Sequence, residues 1–513
     1  MSDLPLWSIL VPLIGGALAL LAERRRYGMA PQRAIAWTSL AAQLVIACLL
    51  VRDADSGRVL VYLLGDWPAR LGISLMVDRL SAMMVLVATL LAIACLLHAC
   101  AGWDRRAPHF HAFFQLQLMG LNGAFLTGDL FNLFVFFEVL LSASYGLLLS
   151  GGRSKRMRAG FHYVTANIAA STVFLMALGL LYGLLGTLNM AEMATRIAQA
   201  PAADHLLIQA AAGLLLLVFC VKAAMLPVYF WLPDTYTHAP APVAALFAVM
   251  TKVGLYALLR VCSLLFGATA GDLAGFAWPW LLVLGTLTLA LASLGVMAAI
   301  KLRALAAYLV LASAATLILA FATERTQATG AGLYYLAHSS FAGAALFLIA
   351  DLVRRRRGEA GDRNDRVQAI TGRTLPGAMF LIAAISLAGL PPLSGFVGKF
   401  ALLTATIEQR WIWLALLISS FLMLVGLTRA GTRLFWRVEP AHAAAADAMP
   451  PPPAPAAPAR RLETLATILL LAYGVAMTIA ASPLLAYTSE TARQLQSPGS
   501  YIEQVRQQPP VMR

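Results

Sequence analysis

Long apolar runs, separated by short polar and charged connections, dominate the chain from residue 4 to residue 487. A run needs about 20 residues to cross about 30 Å of hydrocarbon as a helix, and by that measure fourteen spans are predicted. The first seven cover roughly residues 4–22, 33–51, 75–100, 110–127, 129–150, 160–185 and 205–229. The remaining seven cover roughly 239–266, 274–299, 302–322, 330–353, 377–405, 411–435 and 463–487. The fold class this predicts is an all-α polytopic membrane protein. Leu4 to Ala22 has no basic n-region before it and no clean small-residue cleavage pattern after it, so it is expected to remain as the first span.

Composition agrees: 60% of residues are hydrophobic, 12% are charged, and the mean hydropathy is +0.77. The net charge of +14 would suit nucleic acid, but the arginines cluster in connections between apolar runs, which is a membrane orientation signal instead. Of 38 Lys and Arg, 24 fall in connections of one parity and 10 in those of the other. With positive residues inside, both termini are expected outside. The five cysteines lie within apolar runs without CxxC spacing, so they suggest helix packing rather than a metal site or a disulfide framework. No phosphate-binding glycine loop or nucleophile elbow is present, and no cofactor is expected.

Polar groups inside the apolar runs carry the chemistry. An ammonium at bilayer depth costs several kcal/mol and marks a functional site by default. Lys222 and Lys252 flank a turn broken by Pro227, Pro233, Pro240 and Pro242, and such breaks must be buried in protein or line a wet cavity. The bland alternative for Lys222 is snorkelling to an interface. Glu138 lies nine residues past Asp129, roughly 13 Å deep in its helix, where a lone carboxylate would protonate unless paired with a buried lysine. Lys399 follows a second proline-broken segment, LAGLPPLSGFVGKF, so two broken spans each carry a lysine. His338 sits in an apolar run beside Ser339 and Ser340 and is suited to relay protons or to make one interhelical hydrogen bond. His238, at the proline-rich turn, and the Asp78–Arg79 pair opening the third span are weaker candidates, Asp78 and Arg79 reading as an interfacial pair. Metal ligation would need convergent His, Cys or carboxylates, which the spacing does not supply. Glu, Lys, His and Lys across several spans resemble a proton or cation relay.

These residues are embedded in GDLFNLFVFFEVLLSASYGLL (128–148), VKAAMLPVYFWLPDTYTHAPAPVAA (221–245) and LAGLPPLSGFVGKF (387–400). In those motifs the sequence resembles the D subunits of Mrp/Pha-type multisubunit Na+(K+)/H+ antiporters, relatives of the antiporter-like membrane subunits of respiratory complex I. The resemblance covers roughly Asp78 to Trp436. It implies two inverted five-helix repeats, the fourth to eighth and ninth to thirteenth spans, other antiporter subunits as partners, and a bacterial cytoplasmic membrane location. It further implies that Glu138 and Lys222 form a coupling pair, Lys252 a central relay and Lys399 a terminal proton-exchange group. Many relatives carry a second histidine and a lysine just after the eleventh-span histidine; this chain has Ser339 and Gly343 there, so its relay is expected to use His338, hydroxyls or water. Residues 1–107, 108–270, 271–437, 438–462 and 463–513 are expected to form an N-terminal segment, the two repeats, an Ala/Pro-rich linker and a C-terminal helix with its tail. Arg354 to Arg373 is expected to be a solvated or headgroup-facing inner loop. The alternatives are a proton-pumping membrane subunit of complex I or of a membrane-bound hydrogenase, and a purely structural scaffold.

Overall fold

The computed structural model describes residues 3–68, 72–365, 370, 372–436 and 461–506. Helices α1 (Leu4–Arg24), α2 (Met29–Asp55), α3 (Arg79–Ala99), α4 (Phe110–Leu126), α5 (Leu130–Leu149) and α6 (Ser154–Leu185) follow the first six predicted spans. After a short α7 (Met190–Ala198), the chain forms α8 (His205–Lys222), α9 (Trp231–His238), α10 (Ala241–Phe247) and α11 (Met250–Leu265). Then come α12 (Trp278–Ala298), α13 (Leu302–Phe321), α14 (Thr326–Arg356), α15 (Thr374–Ala388), α16 (Ser394–Ala405) and α17 (Arg410–Gly431). The chain closes with α18 (Arg461–Ile479), α19 (Ala481–Gln496) and α20 (Gly499–Arg506). Among the described residues, twelve helical segments are long and apolar enough to cross a membrane; α15 and α16 are shorter apolar helices. The Ala/Pro-rich linker lies, as far as residue 460, outside the described residues.

The differences from the sequence expectation are local. The third span begins at Arg79 rather than about 75, because residues 74–77 extend and pair with another segment. Strand β1 (Leu60–Leu63) runs antiparallel to β2 (Ser74–Val77), with Leu60 opposite Val77. Asp78 then caps α3: its carboxylate accepts the Ser81 N–H at 2.9 Å while the Ser81 hydroxyl accepts the Asp78 N–H at 2.9 Å. The predicted seventh, eighth, twelfth and fourteenth spans are interrupted, after Lys222, Phe247, Ala388 and Ile479.

Helices α10, α11, α13 and α14 are almost wholly enclosed by other helices, whereas α6, α12, α17 and α18 turn much of their surface outward. Phe161, Leu180, Trp280 and Phe421 stand on those outward faces, as a chain bathed in lipid or covered by partners allows. The enclosed helices carry Lys252 and His338, which puts both groups in the interior of the bundle.

Candidate functional site

The first broken segment positions Lys222. Helix α8 stops at that residue, and the freed backbone finds protein partners: the Trp231 indole donates to the Val221 carbonyl at 3.1 Å and the Leu226 N–H donates to the Thr288 hydroxyl at 3.0 Å. Lys222 Nζ donates to Asn167 Oδ1 at 3.1 Å and lies 5.8 Å from the centre of the Phe137 ring. The carboxylate of half-buried Glu138 accepts a hydrogen bond from Ser171. Asn167 and Ser171 are four residues apart on α6 and so share a face. Glu138 and Lys222, the expected coupling pair, are therefore not in direct contact. They are joined through adjacent turns of one helix and lie within electrostatic reach of each other. Close packing of α11 against this break requires Gly254, where a Cβ would fall 2.7 Å from the Ala223 nitrogen.

Lys252, fully buried on α11, donates to Ser313 Oγ on α13 at 2.8 Å, and that hydroxyl donates to the Val310 carbonyl at 2.7 Å. His338 on α14 is also buried; its Nδ1 meets Ser394 Oγ, at the start of α16, at 2.9 Å. Its Nε2 has no hydrogen-bond partner among the described residues. The neighbouring hydroxyls are spent on their own helix: Ser339 and Ser340 both donate to the Leu336 carbonyl, at 3.1 and 2.8 Å. The hydroxyl available to His338 thus comes from a helix more than fifty residues away in sequence.

The second broken segment positions Lys399. Its Nζ donates to the carbonyls of Leu387 at 3.3 Å and Ala388 at 3.0 Å, and to Ser420 Oγ on α17 at 3.0 Å. Those carbonyls are the unsatisfied end of α15, where the helix dipole favours a cation. Gly389 turns the chain there with φ +80°, and a Cβ would lie 2.5 Å from Lys399 Cδ. Lys222, as the last residue of α8, also sits at a half-helix C-terminus.

The weaker candidates separate from this row. His238 contacts its own helix, with Nδ1 3.0 Å from Asp234 Oδ1 and 2.9 Å from the Asp234 carbonyl. Asp78 and Arg79 do not pair with each other. Arg79 reaches Asp55 at 2.9 Å, while buried Asp78 takes a two-pronged bond from Arg260 at 2.5 and 2.8 Å. Burial by itself would push the Asp78 carboxyl up, but Arg260 and the Ser81 bonds outweigh it and hold the group below its usual value. Sequence reading placed Arg260 in an outer connection; it lies inside the protein because Asp78, 182 residues away, compensates its charge. The arginine-rich stretch also departs from the solvated loop expected: Arg354 and Arg355 belong to α14 and bind Asp351, and Arg357 is buried, donating to the Gly361 and Arg363 carbonyls. Sequence reading missed Asn167, Ser171, Ser313, Ser394, Ser420 and Arg260. Their one signal was a polar residue in an apolar run, which many helix-packing serines share.

No group of three or more His, Cys, Asp or Glu that could hold a metal ion occurs among the described residues. What the row can do is pass charge: each member is an ammonium or imidazole held by neutral oxygens, so a proton can leave or arrive without breaking a salt bridge to a carboxylate.

Comparison with known proteins gives a consistent answer. The family model for NADH:quinone oxidoreductase/Mrp antiporter, TM matches residues 127–425. The D subunit of a probable K(+)/H(+) antiporter of Rhizobium meliloti is 38% identical, with 98% of this chain and 97% of that one covered. The D subunit of the Na(+)/H(+) antiporter of Alkalihalophilus pseudofirmus is 33% identical, with 98% and 99% covered. Among solved structures, a chain of the Mrp complex from Dietzia sp. superimposes with TM-score 0.85 at 27% identity, covering 98% of this chain and 99% of that chain. A chain of respiratory complex I from Thermus thermophilus, at TM-score 0.75 and 24% identity with 96% and 100% covered, shares the fold. Together with the fold and the row of buried lysines, these matches show that the chain belongs to the NADH:quinone oxidoreductase/Mrp antiporter transmembrane family.

Proposed function

We propose that this chain is the proton-translocating D subunit of a multisubunit monovalent cation/proton antiporter, exchanging Na+ or K+ for protons as part of a complex with other antiporter subunits. The observation that carries the reading is the row of buried basic groups, Lys222, Lys252, His338 and Lys399, each resting on a neutral oxygen of a neighbouring helix. Such groups exchange protons at modest cost, whereas carboxylate-paired ones are held charged. In the mechanism we infer, a change of protonation at Glu138 alters the field at Lys222. That change passes by Coulomb coupling to Lys252, through His338 and Ser394, and on to Lys399, which exchanges its proton with the aqueous side. His338 lies within electrostatic reach of both Lys252 and Lys399, which supports its place between them.

The same reading assigns fourteen spans, with two inverted five-helix repeats over 108–270 and 271–437. A three-helix segment (1–107) precedes them, and a linker (438–462) and terminal segment (463–513) follow. The lysine at a half-helix C-terminus in each repeat supports the pairing of the halves. The family resemblance supports a bacterial cytoplasmic membrane location, and the arginine bias supports both termini outside.

The test is cation-dependent proton flux in everted vesicles carrying the whole complex, comparing wild type with Lys222→Ala and Glu138→Ala at matched assembly. Loss of Na+- or K+-dependent flux in both variants supports the reading. Wild-type flux in both removes the coupling pair, and acidification driven by a redox donor instead of a cation gradient assigns the chain to an oxidoreductase.

A further inference from the structure

A second polar feature lies at the arginine-rich end of the bundle and takes no part in the row of buried lysines. The starts of α6, α10 and α13, the end of α14 and the connection before α4 enclose a cavity of about 820 Å³. Eight of its lining residues are Arg or Lys and one is an acid, Asp351. The acid is already bound: Arg354 lies 2.5 Å and Arg355 2.9 Å from its oxygens. Arg303 is likewise taken by Asp362 at 2.9 Å. Arg106, Arg153, Lys155 and Lys301 have no carboxylate partner among the described residues.

Positive residues at the inner ends of membrane helices are expected from topology alone, and a topology signal would be met equally well by charges spread over the headgroup plane. Here four separate segments, before α4, at the start of α6, at the start of α13 and at the end of α14, instead bring them to one concave space. The cost is visible at Arg156, whose guanidinium is held at 3.1 Å from the His238 carbonyl and against the Trp103 ring at 5.3 Å, while the charges of Arg153, Arg303 and Arg354 all bear on it. A concave site with low-dielectric walls focuses such a field and concentrates counter-ions. The space exceeds that of one small ion and matches a site for a ligand of small-molecule size. The first turn of α6, which opens into it at Ser154, carries no side-chain cap, so its free N–H groups add to the attraction for an anion.

We propose that this cavity binds a multiply charged, phosphate-bearing anion. The phosphate groups pair with Arg153, Lys155 and Lys301, and Trp103 lies beside them. Through Arg156, which grips both the cavity wall and the His238 carbonyl, the bound anion steadies the break between α9 and α10. Both a phospholipid headgroup and a soluble polyphosphate present this chemistry.

The test uses the whole purified complex and two probes: inorganic pyrophosphate measured by equilibrium dialysis, and cardiolipin retained in phosphatidylcholine nanodiscs measured by mass spectrometry. Arg153→Gln/Lys155→Gln and, separately, Lys301→Gln are compared with Arg24→Gln/Arg25→Gln, which removes charge at the same end outside the cavity. Binding of at least one probe should weaken about tenfold in the double cavity variant and measurably in Lys301→Gln, and stay within about twofold in the control. Loss confined to cardiolipin identifies a headgroup site, and loss confined to pyrophosphate a soluble ligand. The proposal is overturned if wild type binds neither probe, as when an acidic segment of a partner fills the cavity. It is equally overturned if the cavity variants bind as wild type does, or if the control weakens binding as much.

Discussion

Lys399 lies eleven residues beyond Ala388 in the chain, yet its ammonium donates to the Ala388 carbonyl at 3.0 Å and so closes the open end of the half-helix that precedes it. The lysine is at once a candidate proton carrier and the cap of α15. Its removal strands two buried carbonyls, at about 1–3 kcal/mol for each unsatisfied group. Gly389→Ala is the cleaner probe, because it keeps the lysine and displaces it: the new Cβ would sit 2.5 Å from Lys399 Cδ at a positive φ. Gly389→Ala is expected to lower proton flux about tenfold or more with the complex assembled, read by a pH-sensitive dye in everted vesicles.

Asn167 holds Lys222 by a neutral oxygen. Asn167→Asp supplies a carboxylate at the same place and should fix the lysine as a cation, so flux should fall further than in Asn167→Ala, which costs one hydrogen bond to a charged group, about 1.5–3 kcal/mol. Flux and assembly of the two variants, measured side by side, decide the matter. Equal flux in both would mean that the charge state of Lys222 does not matter.

The structure separates two serines that look alike in sequence. Ser394 meets His338 at 2.9 Å, whereas Ser339 spends its hydroxyl on the Leu336 carbonyl. Ser394→Ala is expected to slow proton transfer about tenfold or more, as removal of a proton-transfer partner does, with Ser339→Ala close to wild type. The same vesicle assay reads both, and the reverse order would place the relay along α14.

Asp104 anchors the connection between α3 and α4 through Arg33, whose Nε lies 2.6 Å from its carboxylate, with His111 Nε2 3.4 Å away. Burial pushes the Asp104 carboxyl up, but the adjacent His111 ring and the hydrogen bonds and charge of Arg33 overcome it and bring it down to about 2 from 3.8. A lowered carboxyl stabilises the fold above its unfolded value, and the contribution is lost as pH falls through the folded value. The tie should therefore be intact from neutral pH down to about 4 and fade between about 4 and 2. Asp104→Asn should cost on the order of 2 kcal/mol at pH 7, a penalty that shrinks across that acid range. Thermal melts of the detergent-purified complex across pH provide the measurement.

What the sequence determined by itself was every property that depends on neighbours along the chain. Apolar runs of sufficient length marked the helices between α1 and α18 other than the short α7 and α9, prolines marked the breaks after Lys222 and Ala388, and an uncompensated Lys222, Lys252 or Lys399 inside such a run was conspicuous because lipid offers it nothing. Tertiary structure alone decided which oxygen receives each of them. Sequence order puts Lys222 before its break and Lys399 after its own, which hides their likeness; folding brings Lys399 back onto the α15 terminus, and both end at a half-helix C-terminus. Asn167, Ser313 and Ser394 looked like any polar residue in a helix until packing set them beside a buried lysine or histidine. Arg260 counted as a loop charge until Asp78 appeared beside it, and the arginines of four connections counted as topology until they closed on one cavity. The reason is physical: hydropathy is summed over adjacent residues, whereas a buried charge is stabilised by whichever group the packing of distant helices brings within about 3 Å.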